Sequence, residues 1–293
     1  MPQFDMITIG NYTKDTIVSA AGTRHVDGGG FRYSAHAAAL SGLSVAAVTH
    51  LAAADLGSLD ALREAGVEVR AFTGGASTLM RLEYPNADPD QRVLSVAALA
   101  DPFTVADVAG LETSAWLVSA SVRGEAPLAI MQHLAEQEGL LACDVQGFVR
   151  VVGADGVLGY AAWPEQREVL GLVDVLKTDA VEAEFLTGEA DRHRAALALA
   201  AQGPREVVLT HRDGVLVLAD GVFHEATFRP REMIGRSGRG DTCVGSYLAR
   251  RHSAGPAEAT RWAAALTSRK LEREGVVRCS RADVESLFEE YPV

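Results

Sequence analysis

Gly235-Arg236-Ser237-Gly238-Arg239-Gly240-Asp241-Thr242-Cys243-Val244-Gly245-Ser246-Tyr247-Leu248-Ala249 runs from a glycine-rich turn into a helical pattern and delivers one carboxylate to the helix start. Gly238 and Gly240 carry no Cβ, so successive N–H groups can point outward, and the unsatisfied amides of the helix start favour a bound anion. Asp241 stands at the lip of this cradle, where it could take the proton of a hydroxyl attacking a phosphate, with the Thr242 hydroxyl beside it. Asp is also a favoured N-cap, and a plain helix cap explains the same residue. Arg239-Gly240-Asp241 spells the cell-adhesion tripeptide as well, but nothing else in the chain looks extracellular.

Outward from this turn, short apolar runs alternate with amphipathic stretches. Strands are predicted at Phe4–Ile9, Val45–His50, Trp116–Ser119, Leu140–Val145, Val173–Leu176 and Glu206–Thr210. Helices are predicted at Arg32–Leu40, Ala126–Glu138, Val181–Thr187, Arg192–Ala201, Asp241–His252 and Pro256–Glu274, with Ser280-x-x-Asp283 as the capped start of a last one. The alternation is that of βαβ units and a mostly parallel sheet, an α/β fold in one domain over 1–293. Asp15–His25 and Val67–Val96, the latter interrupted by Gly74-Gly75 and Pro85 to Pro89, do not fit it. They predict a small β lid built from excursions at about 11–30 and 67–98.

Composition narrows the function. The chain has 293 residues, 48% of them apolar, enough for a sizeable core, and a net charge of −12 that argues against a nucleic-acid-binding surface. Lysine occurs only at 14, 177 and 270, so a phosphate clamp would rest on Arg forks and backbone N–H groups. Cys143, Cys243 and Cys279 stand far apart, as in a reducing compartment and without a zinc motif. No apolar run reaches bilayer length, so a soluble cytoplasmic protein is expected.

In open parallel sheets, ligands bind beyond the carboxyl ends of the strands. Gly10 to Asp15 follows the first predicted strand, Asp144 to Gln146 ends another, Asp179 follows Val173–Leu176, and Thr210 ends Glu206–Thr210. A single loop Asp is commonly a turn or cap residue. Four polar positions beside one anion cradle are harder to explain that way.

These residues resemble the ribokinase-like (PfkB) carbohydrate kinases over nearly the whole chain. Gly10 followed by Asp15 is similar to the segment that faces sugar hydroxyls from the lid. Gly28-Gly29-Gly30-Phe31-Arg32-Tyr33-Ser34-Ala35 is similar to the family's GG-x-x-x-N-x-A, which holds substrate. Lys177-Thr178-Asp179-Ala180-Val181-Glu182 is similar to N-x-x-E, which helps place magnesium through water. Gly238 to Asp241 is similar to G-A-G-D, whose Asp is the general base. The resemblance implies a ribokinase-like three-layer fold, with a mostly parallel central sheet flanked by helices and a small β lid.

Several positions depart from the family pattern. Tyr33 stands for Asn, Asp179 for the Asn of N-x-x-E, and Arg239 for the Ala of G-A-G-D. Gly235 replaces an Asp that supports a monovalent-cation site, so potassium activation is not carried over. Thr210-His211-Arg212-Asp213-Gly214 is shorter than the T-x-G-x-x-G pattern near the nucleotide.

Together with Asp144-Val145-Gln146-Gly147-Phe148-Val149-Arg150, the pattern looks closest to the inositol-kinase-like branch. The resemblance implies ATP and Mg²⁺ as cofactors and a sugar or cyclic polyol such as myo-inositol as substrate. It places Asp241, Gly238, Arg239 and Gly240 at the chemistry, and Asp15, Gly28, Gly29, Tyr33, Asp144, Gln146 and Arg150 around the substrate. Lys177, Thr210, Arg212 and Gly214 fall on the nucleotide side, and Asp179 and Glu182 near the metal through water. A homodimer through the lid edge is plausible. Ribose, fructose, phosphosugar and nucleoside kinases remain alternatives, as does a sensor that binds polyol or nucleotide without reaction. A dinucleotide oxidoreductase is disfavoured because Gly10-Asn11-Tyr12 is no GxGxxG, and a P-loop NTPase because GxxxxGK[ST] is absent.

Overall fold

A computed structural model describes residues 3–20, 22–84 and 93–292. The strands, in chain order, are β1 (Met6–Ile9), β2 (Thr13–Ser19), β3 (Gly22–Gly28), β4 (Val45–Ala52), β5 (Glu68–Gly74), β6 (Thr78–Glu83), β7 (Val93–Ala98), β8 (Ala115–Val118), β9 (Leu140–Asp144), β10 (Arg150–Val152), β11 (Leu158–Tyr160), β12 (Val175–Asp179), β13 (Glu206–Thr210), β14 (Gly214–Ala219) and β15 (Val222–Thr227). The helices are α1 (Gly30–Leu40), α2 (Asp60–Glu64), α3 (Leu128–Ala135), α4 (Gln146–Val149), α5 (Gln166–Leu172), α6 (Ala180–Thr187), α7 (Arg192–Ala200), α8 (Arg239–Arg251), α9 (Pro256–Leu271) and α10 (Arg281–Phe288).

Nine strands form the central sheet in the order β15-β14-β13-β12-β9-β8-β1-β4-β5, parallel from β13 to β5. Helices cover both faces, so the central strands read as apolar on both sides rather than alternating. Successive residues feed opposite cores: Met6, Val45 and Ala47 join the cluster with α1, α8 and α9, whereas Ile7, Ala46 and Val48 join the one with α3 and α7. This is the three-layer α/β fold expected from the sequence.

Four details differ from the sequence reading. β5 belongs to the central sheet, paired parallel with β4, because Val67, Val69 and Ala71 pack into the core; the lid's second excursion therefore starts at β6. The expected strand at Val173–Leu176 slides to Val175–Asp179, as Val173 closes α5. α8 starts at Arg239, two residues before Asp241. The antiparallel hairpin β14–β15 was not anticipated, although Asp220-Gly221, with φ of 51° and 73°, is the turn pair that joins such strands.

The lid is a separate four-stranded sheet, β3-β2-β6-β7, whose outer edges are β3 and β7. Pro85 to Pro89 lie outside the described residues. Two buried groups brace its attachment to the body. Asn11 donates from Nδ2 to the Asp101 carbonyl (3.0 Å), joining the chain before β2 to the chain after β7. Glu125 accepts the Asn11 amide (2.6 Å) and the Ser121 amide (2.9 Å). Among the described residues, no helix is long and apolar enough to cross a membrane.

Candidate active site

The N-cap of α8 is Gly238, at φ 77°, a left-handed conformation that suits glycine, and the Tyr33 ring already fills the place of a Cβ there. The first intrahelical bond runs from Thr242 N to Gly238 O (2.9 Å), and Arg239 N bonds Arg236 O. The amides of Gly240 and Asp241 thus precede the ladder, as donors for an anion. Asp241 is not the cap. Its Oδ1 accepts a hydrogen bond from Gln146 Nε2 (3.3 Å), 95 residues away in sequence.

Gly30 forms the floor beneath this carboxylate. A Cβ at Gly30 would stand 2.5 Å from Asp241 Oδ1 and 2.8 Å from the Ser119 carbonyl, so the carboxylate sits directly against bare backbone. A Cβ at Gly240 would meet Lys177 Nζ at 2.7 Å, with Thr210 Oγ1 at 3.8 Å. Lys177 is buried and pairs with Asp144 Oδ2 at 2.8 Å. Burial by itself would lower the Lys177 pKa, yet Asp144, Glu182 and Asp241 hold it above the usual lysine range. Asp144, fully buried, is pushed up by burial and pulled back by Lys177. The lysine expected on the nucleotide side therefore lies inside the cradle, under the turn.

On the lid side, Gly28 packs against Asp15 and Thr13, where a Cβ would come within 2.6 Å of Asp15 Oδ2. Gly29, at φ 103°, carries the chain from β3 into α1. Burial pushes the Asp15 carboxyl up to about 6, opposed by the Thr13 hydrogen bond and aided by Asp27. Asp15 Oδ1, Tyr33 Oη and Ser119 Oγ are buried and find no hydrogen-bond partner in the protein. Burial, then Asp15 and Asp241, raise the Tyr33 phenol above its usual range. Polar atoms withdrawn from water without partners are costly, and here they gather around one carboxylate, as a hydroxyl-rich ligand requires.

The two residues expected near the metal cap one helix together. Asp179 caps α6 by accepting the Glu182 amide (2.8 Å), while Glu182 Oε2 accepts the Asp179 amide (3.0 Å) and Oε1 accepts from Arg150 Nη2 (3.0 Å). Glu182 is wholly buried, and burial followed by Asp179 raises its pKa. No group of three His, Cys, Asp or Glu among the described residues is placed to hold a metal. This donor set fits a hydrated ion held through water by Asp179 and Glu182 and does not fit direct coordination by Glu182.

Arg150, expected to face the substrate, is engaged by Glu182 instead. Arg212 is exposed, and its carbonyl lies 3.5 Å from Arg239 Nη1, so Arg239 reaches the turn before β14. Gly214 has a packing reason, since a Cβ there would meet the Ala226 carbonyl at 2.4 Å. Sequence reasoning did not single out Gly30, Ser119, Glu125 or Lys270. Gly30 lay within the quoted glycine triplet and Lys270 was one of three lysines, but Ser119 and Glu125 carried no local signal.

The sequence matches the pfkB family carbohydrate kinase model over residues 5–283. No curated protein matches it in the sequence search. Among solved structures, it is similar to the sulfate complex of a pyrophosphate-dependent kinase in the ribokinase family, at 34% identity and a TM-score of 0.89 over 96% of this chain and 99% of that one. A pyrophosphate-dependent kinase of the ribokinase family complexed with a pyrophosphate analog and myo-inositol is 32% identical, with a TM-score of 0.89 over 96% and 99% of the two chains. Arabidopsis thaliana ribokinase complexed with ribose and ATP shares the fold at 17% identity, a TM-score of 0.77 and 98% and 99% coverage. With its glycine cradle, its buried unpartnered polar atoms and a family match across almost its whole length, the chain belongs to the pfkB family of carbohydrate kinases, phosphotransferases that act on sugar hydroxyls.

Proposed function

We propose that the protein transfers a phosphoryl group from inorganic pyrophosphate to a hydroxyl of a cyclic polyol, with myo-inositol as the first candidate. The observation that carries this reading is the set of buried, unpartnered polar atoms, Asp15 Oδ1, Tyr33 Oη and Ser119 Oγ, gathered around Asp241 beside the free amides of α8. The polyol and the donor are supported by the similar kinase complexed with a pyrophosphate analog and myo-inositol. The donor is further supported by the short turn at 211–213, closed by His211 N to Gly214 O (2.9 Å) and approached by Arg239, in place of the nucleotide pattern. ATP, which the family resemblance implies, is the alternative donor.

Asp241 takes the proton of the attacking hydroxyl, held in place by Gln146 and the Gly30 backbone. Asp15 and Tyr33 orient the polyol from the lid side. The amides of Gly240 and Asp241 hold charge that grows on the transferring phosphoryl group, with Lys177 below them. A magnesium ion held through water by Asp179 and Glu182 would neutralise phosphate charge. The lid, which carries Asp15, excludes water, which otherwise competes as acceptor.

The test is phosphate release from pyrophosphate and ADP release from ATP, each with Mg²⁺ and myo-inositol, ribose, fructose, fructose 6-phosphate or nucleosides. Transfer from pyrophosphate to myo-inositol, confirmed as an inositol phosphate, is expected. Transfer from ATP alone would replace the donor, and transfer to another acceptor would replace the polyol. Ligand binding with no transfer from either donor would refute the kinase reading in favour of a sensor.

A further inference from the structure

Lys270, in the last turn of α9, is wholly buried. Its Nζ donates to the Gly235 carbonyl at 2.8 Å and lies 5.6 Å from the centre of the Tyr33 ring. That ring is the surface on which Gly238, the N-cap of α8, rests. Gly235 is itself clamped, since its amide bonds the Leu271 carbonyl (3.0 Å) and a Cβ would collide with the Arg273 carbonyl at 2.0 Å. A buried ammonium is ordinarily retained only when paired, and here no described carboxylate lies close enough to form an ion pair with it. Its place, one ring behind an anion cradle, indicates what would compensate it.

We propose that Lys270 is a positioning residue for the donor: its buried ammonium pins the Gly235–Gly238 turn through the Gly235 carbonyl and supplies fixed positive charge beneath the α8 amides, compensated when the anionic donor binds. The inference rests on the phosphotransfer reading and names a residue that acts on the donor through the turn. The surrounding charges agree. Burial lowers the Lys270 pKa to about 8, while Glu274 and Asp241 raise it and Arg239 lowers it. Glu274 is shared with the lid through Arg24 (2.9 Å), and Tyr33, the other titratable neighbour, is held above its usual range. Burial thus loosens the hold of Lys270 on its proton, and a bound anion would strengthen it.

Sulfate serves as a probe that does not itself titrate in this range, so the test does not depend on turnover. Calorimetry of wild-type protein at pH 7 and pH 9.5 is expected to show roughly tenfold weaker sulfate binding at the higher pH, with proton uptake on binding near pH 8.5. Lys270→Met should bind sulfate weakly at both pH values without proton uptake. In the transfer assay the wild-type kcat/KM for the donor should fall above about pH 8, while the variant has a low, flat profile and a polyol KM within threefold of wild type. Equal sulfate affinity in wild type and variant at pH 7 would overturn the proposal. So would a pH-independent wild-type affinity, which decides the matter even if the variant does not fold. If wild type transfers phosphate from no donor, the function proposed above fails, and the sulfate measurements still decide the role of Lys270.

Discussion

Gly30→Ala probes the contact between backbone and the carboxylate proposed as the base most directly. The added methyl would begin 2.5 Å from Asp241 Oδ1, 2.8 Å from the Ser119 carbonyl oxygen and 3.0 Å from Ser119 Cβ. Relieving these contacts to ordinary van der Waals separation requires movements of roughly 0.5 to 1 Å. Ser119 is anchored by its amide to the Ile9 carbonyl (2.8 Å) in the sheet, so the Asp241 side chain must absorb most of the shift. Overpacking of this size costs about 1–3 kcal/mol, or roughly 2–5 °C in Tm for a chain of this length. Displacing the base by close to 1 Å should lower kcat by about 100-fold. Gly30 does not have a positive φ, so backbone strain does not confound the comparison, and Gly57→Ala, where a Cβ meets nothing within 4 Å, is the neutral control. Steady-state kinetics and thermal melts of both variants check the argument. A Gly30→Ala protein with kcat within threefold of wild type would refute the placement of Asp241 against this backbone.

Asp241→Asn keeps the hydrogen bond with Gln146 but cannot accept a proton, so kcat should fall by about 10²–10⁴ while donor binding, followed by calorimetry, persists. Because burial raises the Asp15 carboxyl to about 6, kcat/KM for the polyol should decline as pH falls below 6, and Asp15→Asn should lose that limb of the profile. Glu182→Gln leaves Arg150 without its buried counter-charge at a cost of about 3–5 kcal/mol, and melting should show a Tm lower by roughly 5–8 °C. Glu125 is held up to about 7 in the folded protein, chiefly by burial, against an ordinary 4.5. Its contribution to stability is fully present below pH 4.5 and is lost as pH rises through 7, a change of about 3 kcal/mol that melts across this range should detect and that Glu125→Gln should flatten.

Much of the chain was legible because the informative signals are local. Apolar runs of strand length, turn glycines and the Ser280 capping box act within a few residues, and they identified the layers, the cradle and the carboxylate at its lip. The family resemblance added the roles. The β5 segment was misread because its exposed, interrupted pattern resembles a lid strand, and only its pairing with β4 commits Val69 and Ala71 to the core.

The amino-acid order alone determined that a βα sheet carries a glycine-rich helix start with one carboxylate, since glycine conformation and hydrophobic periodicity are properties of short segments. Tertiary structure decided the rest. It made Gly238 the cap and freed Asp241 to meet Gln146, 95 residues distant; it tied Arg150 to Glu182 and set Lys270 behind Tyr33. Those partners meet only because the parallel crossovers return each strand's carboxyl end to the same edge of the sheet. Contacts made that way depend on how whole layers stack, which no stretch of neighbouring residues encodes.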